Sequence, residues 1–422
     1  MDQDIPRTIE SLFRKESVRL ISVLTRILGP QNLELAEDVV QDSFGAALGA
    51  WAKTGIPENP AAWLLATARN RAIDAIRRER TRRQFASDLA IFLDSEWTVA
   101  HTVDEAFGED WAKDDQLRMI FMCCGPGLTQ ENRLPLILRT LCGLSVPAIA
   151  RALITSESTI NKRLYRTRRA LEGRSFRLPT PEELPEALDT VHTVLYLLFN
   201  EGYHSVSDEP IVRELCRDAL HLAKLVVDEP SLTSSDGVAL LAIMCFGAAR
   251  IDPRVDDAGQ LVSLDRQDRS LWDAALIQRG YAYLRQSSRM GEVRAGRYQL
   301  EAAIAARHCS ARTFALTDWT SICNLYDRLV EVDPSPVTQL NRAIAISYRS
   351  GPDAALPLVE ALARSADLPS HVIPAALAHL HGRAGHTRQA REFLDLALAQ
   401  ATTVHERQLI EAQVRAASPA SG

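Results

Sequence analysis

The sequence predicts an all-α protein of several helical domains, and three observations carry that expectation. Apolar residues recur at steps of three and four almost from end to end, with hardly a stretch that alternates every second residue. Charge is segregated into a basic module, an acidic spacer and a second basic module, followed by a long remainder. Near the C-terminus the segments RSGPDAALPLVEAL and RAGHTRQAREFLDLAL set Gly351 and Gly385 34 residues apart, a period typical of stacked helix pairs.

Composition narrows the class. A chain of 422 residues with 46% hydrophobic residues and a net charge of −6 is neither fibrous nor wholly disordered. At about 150 residues per domain it has room for two or three. The longest near-continuous apolar run, Val238 to Ala249, is too short to span a bilayer, and MDQDIPRTIE lacks the pattern of a secretory leader. The seven cysteines include one adjacent pair, Cys123 and Cys124, and no C-x-x-C spacing. A disulfide framework or zinc knuckle is therefore not expected, and a reducing cytoplasm fits.

In the first module, Leu33, Ala36, Val40, Phe44, Ala47 and Trp51 form one apolar helical stripe. Glu34, Asp38 and Asp42 follow each other at four-residue steps on another face, with Gln41 beside them. That acidic stripe reads either as a solvated face or as a docking face for a basic partner. After a loop marked by Pro57 and Pro60, a helix carries Leu65, Ala72 and Ile76 toward the core and Arg71, Arg78 and Arg82 on one face. From Arg69 to Arg83 seven arginines stand against two acids. Such a face can neutralise phosphates. Trp51 and Trp63 flank the loop and read first as core.

From Phe85 to Asp115 a single lysine faces nine acids. The next basic module, LSVPAIARALITSESTINKRLYRTRRALE, has a helix-turn-helix pattern. Val146, Ile149 and Leu153 form the buried side of a first helix, and Ser156 or Glu157 can cap a second. Ile160, Leu164 and Thr167 continue the core spacing. Ser158, Thr159, Asn161, Lys162, Arg163 and Arg166 are left outward, short polar groups first and arginines later, as a recognition helix requires. Ile154 stands where such turns usually carry glycine.

Taken together, AEDVVQDSF, PENPAAWLLATARNRAIDAIRRERTRR and LSVPAIARALITSESTINKRLYRTRRAL resemble extracytoplasmic-function (ECF) sigma factors of the sigma-70 family, over about Met1 to Gly173. The resemblance implies a region 2 helical bundle at 1–84, an acidic linker at 85–112 and a region 4 helix-turn-helix domain at 113–175. It implies that Asp38, Gln41, Asp42 and Phe44 bind core RNA polymerase at the β′ clamp helices, the β subunit being a further contact. The −10 element would be met by the loop Lys53–Pro60 through Asn59, and by Trp63, Arg69, Asn70, Arg71, Arg77 and Arg78. The −35 element would be read by Ser158, Thr159, Asn161, Lys162, Arg163 and Arg166.

Beyond a hinge at 176–186, the chain resembles one ECF subgroup with a helical extension (187–306) that ends in tetratricopeptide-like repeats (307–422). Stacked helix pairs leave a concave surface suited to a protein or peptide partner. His192, Glu201, His204, Asp208 and His221 match no metal-ligand spacing. The expected protein is a cytoplasmic sigma factor: no enzyme, no cofactor, no metal, no membrane contact. The alternative is a helix-turn-helix regulator whose solenoid senses a ligand or partner, which would have no need of the first module.

Overall fold

A computed structural model describes residues 4–28, 32–82, 112–124, 128–171, 178–204, 210–254, 256, 262–290, 294–365, 368, 371–401, 407 and 410–411. The acidic linker expected at 85–112 lies outside these residues except for Ala112. Among the described residues there is no strand. The chain forms two compact units, residues 1–198 and 199–422.

In the first unit, α1 (Asp4–Leu28), α2 (Leu33–Thr54) and α3 (Pro60–Arg82) pack against one another. Their core contains Leu20, Leu24, Ala36, Val40, Phe44, Ala47, Trp51, Leu64, Ala68 and Ala72. The α2 positions among these advance by three or four residues, so one face is apolar along its length. On α3 the buried row is Leu64, Ala68 and Ala72, a four-residue step, and Leu65 is only half-buried against it. Pro60 opens α3 rather than breaking a helix, at a position where its missing N–H is no loss.

Four helices follow: α4 (Ala112–Cys123), α5 (Gln130–Thr140), α6 (Val146–Ala152) and α7 (Glu157–Leu171). Pro135 lies within α5 and is buried. As the sixth residue of α5 it removes the one intrahelical hydrogen bond that its N–H would have made. Ser145 caps α6 by accepting from the Ala148 N–H at 3.3 Å, and Ser156 caps α7 by accepting from the Thr159 N–H at 3.2 Å. Between these helices Ile154 takes a φ of +49°. In α6, Ala148, Ile149 and Ala150 are buried and Val146 is half-buried, as is Leu153 just after the helix. The two helical groups touch: α1 packs on α4, and a Cβ on Gly143 would stand 2.7 Å from Val18 Cγ2. The close approach needs glycine there.

An eighth helix, α8 (Leu184–His204), starts in this unit. Its first turns are held to α5: the buried Arg133 guanidinium donates to Glu186 at 2.7 Å, and Gln130 donates to Asp189 at 3.3 Å.

The second unit contains α9 (Pro210–Asp228), α10 (Ser235–Ala248), α11 (Ala274–Arg289), α12 (Arg297–Ser310), α13 (Trp319–Val332), α14 (Pro336–Ser350), α15 (Pro352–Ser365), α16 (Val372–Arg383) and α17 (Thr387–Gln400). The long apolar run seen in the sequence is α10, buried nearly all round by α9, α11 and α12. From α12 onward each helix packs on the next. Gly351 and Gly385, the pair 34 residues apart, occupy equivalent turns after α14 and α16, with φ of +94° and +78°. Both turns need the left-handed conformation that glycine adopts without penalty.

Cations tie the helix ends of this unit together. Arg254 donates to the Tyr203 carbonyl at the end of α8 and lies 3.8 Å from the Tyr203 ring centroid. Arg269 donates to the His308 and Ala311 carbonyls at 2.7 and 3.0 Å, at the end of α12. Arg250 lies 5.2 Å from the Trp272 ring centroid. Among the described residues no carboxylate is ion-paired with Arg250, Arg254 or Arg269. The negative ends of the helix dipoles and the aromatic faces take that part.

Candidate functional site

Helix α2 turns its apolar stripe inward and so presents Asp38, Gln41 and Asp42, all exposed, on its outer side. Phe44 departs from the expectation of a partner contact: it is 4% exposed and meets Phe13 edge-on at 4.9 Å. Its spacing from Val40 and Ala47 puts it on the core stripe, so it anchors the helix from within. Asp42 accepts a hydrogen bond from Arg71 at 3.2 Å. With 71% of the Asp42 side chain exposed, that pair contributes little to stability and leaves the carboxylate accessible.

The residues assigned to the −10 element have mixed placements. Asn59 caps α3, its Oδ1 accepting from the Ala62 N–H at 3.0 Å. Trp63 is half-buried and meets the buried Trp51 edge-on at 5.5 Å, which fixes the loop between α2 and α3 against the bundle. Asn70 is exposed and Arg69 half-buried, while Arg71 reaches toward α2 instead of continuing an arginine row. The side chains of Arg77 and Arg78 lie outside the described residues.

On α7 the structure brings Ser158, Asn161, Lys162 and Arg166 to the surface. The Thr159 hydroxyl is 2.8 Å from the Ser156 hydroxyl and belongs to the helix cap. Arg163 donates to Glu131 of α5 at 3.3 Å, so it is held by an acid rather than standing alone. Ile160 and Leu164 are buried beneath.

Three α7 residues outside the expected set belong to this surface. Tyr165 is 62% exposed, and the Arg169 guanidinium lies 5.9 Å from its ring centroid. Arg168 reaches the other helical group, its Nη2 donating to both Glu37 oxygens at 3.1 and 2.8 Å. The signal was in the spacing: 161, 165 and 168 share one side of a helix, next to that of 158, 162 and 166. A cleft of ≈ 600 Å³ lies here, lined among others by Phe13 of α1, Glu37 and Gln41 of α2, and Asn161 and Tyr165 of α7.

Nothing in this site suits a bound metal. Among the described residues no group of three His, Cys, Asp or Glu side chains could hold an ion. His192 is buried on α8, its pKa lowered to about 4 by burial, and Asp208 lies outside the described residues. Burial pushes the Cys124 thiol up to about 12, which keeps it in the poorly nucleophilic thiol form. None of the seven cysteines is in a disulfide. Among the described residues no helix is long and apolar enough to cross a membrane.

Comparison with known proteins divides the chain in the same order. Residues 12–82 match the model of sigma-70 region 2, and residues 118–171 match sigma-70 region 4. Residues 187–288 match a family of unknown function (DUF6596). An uncharacterized protein of Rhizobium meliloti (strain 1021) is 37% identical over 407 residues, covering 93% of this chain and 92% of its own length. The probable ECF RNA polymerase sigma factor SigI of Mycobacterium tuberculosis (strains H37Rv and CDC 1551) is 26% identical over 163 residues. That match covers 39% of this chain and 54% of SigI.

Proposed function

Because the chain belongs to the sigma-70 family as an RNA polymerase sigma factor of the ECF type, we propose that α2 is its docking helix, with Asp38, Gln41 and Asp42 meeting the clamp helices of the polymerase β′ subunit. The two sigma regions imply binding to core RNA polymerase and promoter DNA, and neither is an enzyme family. The observation that carries the α2 assignment is its two-sidedness. Three exposed polar or acidic residues lie opposite an apolar stripe, so a basic partner can meet this face without disturbing the bundle.

The loop between α2 and α3, fixed by the Trp51–Trp63 contact, receives a base of the melted −10 element. Extruding a base costs a few kcal/mol, which a preformed pocket and neutralised phosphates offset. Arg69, Asn70, Arg77 and Arg78 follow the single strand from there. Helix α7 reads the −35 duplex from the major groove with Ser158, Asn161, Lys162 and Arg166, and Arg163 joins once it leaves Glu131. A further contact to the β subunit belongs to this reading, as does a cytoplasmic location. The helix array ending in α17, with its 34-residue glycine period, is tetratricopeptide-like and holds a protein or peptide partner.

Replacing Asp38 and Asp42 together by Lys tests the docking helix. Loss of co-purification with core polymerase, at unchanged helix content by circular dichroism, is the expected result. Retained co-purification overturns the assignment.

A further inference from the structure

We propose that Arg250, Arg254, Arg269 and Trp272 form a binding site in the second unit for a small ligand that carries a doubly charged oxyanion, a phosphoryl group or a dicarboxylate. The site is independent of the polymerase and DNA assignments given above. Arg250 and Arg254 follow α10, and Arg269 and Trp272 precede α11. The Arg250 and Arg254 guanidinium carbons lie 6.0 and 3.8 Å from the Tyr203 ring centroid. Those of Arg250 and Arg269 lie 5.2 and 5.0 Å from the Trp272 ring centroid. The two shared rings keep both neighbours within about 10 Å of Arg250, roughly one screening length at ordinary salt. Three like charges thus converge, and among the described residues none is ion-paired with a carboxylate. Burial first, and Arg250 behind it, hold the Arg254 and Arg269 guanidinium groups below the usual arginine range.

The three cations are not equally provided for. Arg254 donates to the Tyr203 carbonyl, and Arg269 donates to the His308 and Ala311 carbonyls and, at 3.1 Å, to the Thr317 hydroxyl. The Arg250 side chain makes no hydrogen bond among the described residues and has only ring faces against it. Its Nε is buried and orphaned, as are Arg269 Nε and the Nε1 of Trp272, a residue only 5% exposed. All three are N–H donors. Buried donors normally find a partner, so three orphans around one tryptophan ring call for an acceptor. His308 adds no charge here, because burial, then Arg250 and Arg269, lower its pKa to about 4. A carboxylate or phosphate oxygen supplies acceptor and counter-charge together, and a guanidinium fork fits either. Two negative charges suit the cluster better than one, since more than one cation lacks an anion. All three arginines are half-buried, which leaves a route to them from solvent.

The test titrates the full chain by calorimetry with sodium phosphate and, separately, with sodium succinate, in a phosphate-free buffer whose ionic strength is fixed with sodium chloride. One or both should bind at a single site with a dissociation constant of about 1 mM or tighter. Phosphate alone marks a phosphoryl ligand, succinate alone a dicarboxylate, and both together the shared oxyanion chemistry. Arg250→Met, at unchanged helix content by circular dichroism, should raise the dissociation constant by about tenfold or more. Arg250→Lys keeps the charge and loses the fork, and should raise it by about threefold. Arg388→Met removes an exposed α17 arginine paired with Glu392 and should leave it unchanged. Absence of binding by both anions overturns the site. So does binding unaltered in both Arg250 variants, or an equal loss in Arg388→Met, which would show attraction to the protein's cations at large.

Discussion

Ile154 takes a left-handed backbone conformation in the turn before α7 and is 46% exposed, so little packing compensates. For a β-branched residue this costs about 1–2 kcal/mol. Ile154→Gly should therefore stabilise the first unit by about 1 kcal/mol, after the extra chain entropy of glycine, and raise its midpoint by roughly 2–4 °C in thermal unfolding. A lower midpoint would show that the exposed side chain has a packing role. Buried histidines make a second prediction. His308 has its pKa lowered to about 4 by burial and by Arg250 and Arg269, and His192 to about 4 by burial. Each is neutral when folded and charges on unfolding, so its stabilising share is complete above pH 6.5 and is lost as pH falls from there toward 4. At pH 5 the loss is about 2 kcal/mol per histidine, visible as a lower urea midpoint than at pH 7, and His308→Gln should remove its part of that pH dependence.

Helices were the most legible scale. Steps of three and four residues placed the α2 stripe correctly from Ala36 to Trp51, because one buried face leaves a periodic mark whatever packs on it. Gly351 and Gly385 marked equivalent turns because each needs a positive φ. Partners were not legible where they are far apart in sequence. Arg71 meets Asp42 across 29 positions, Arg163 meets Glu131 across 32, and Arg168 meets Glu37 across 131. Arg71 and Arg163 read as free cations until packing supplied their acids. Phe44 failed for a related reason: membership in a motif does not distinguish an outward contact from the core residue that supports it. The Arg163 pair makes its own prediction. Glu131→Gln should tighten −35 duplex binding, whereas Arg163→Ala should weaken it and reduce the salt slope by about one phosphate equivalent. Titrations at several salt concentrations would show both, and an unaltered slope would remove Arg163 from the DNA surface.

At the scale of the molecule, the two basic stretches of the sequence fall in two helical groups, with Leu24, Val40 and Leu64 buried in the first and Leu136, Ile149 and Ile160 in the second. The end of the second group was harder to read. LPTPEELP resembles a hinge, yet buried Arg133 of α5 donates to Glu186 just beyond it, and α8 therefore begins as part of the first unit. A chain cut after Gly173 would strand that guanidinium, so the role of the second unit is better tested by a cut that keeps α8. The central claim is that this chain gives core polymerase its promoter choice. Reconstituted transcription on a pool of genomic fragments measures it most directly. Defined start sites should appear only when core polymerase and the full chain are combined, and should vanish with Asp38→Lys and Asp42→Lys. Starts that are absent with the unaltered protein, or that persist undiminished with the double substitution, would contradict it.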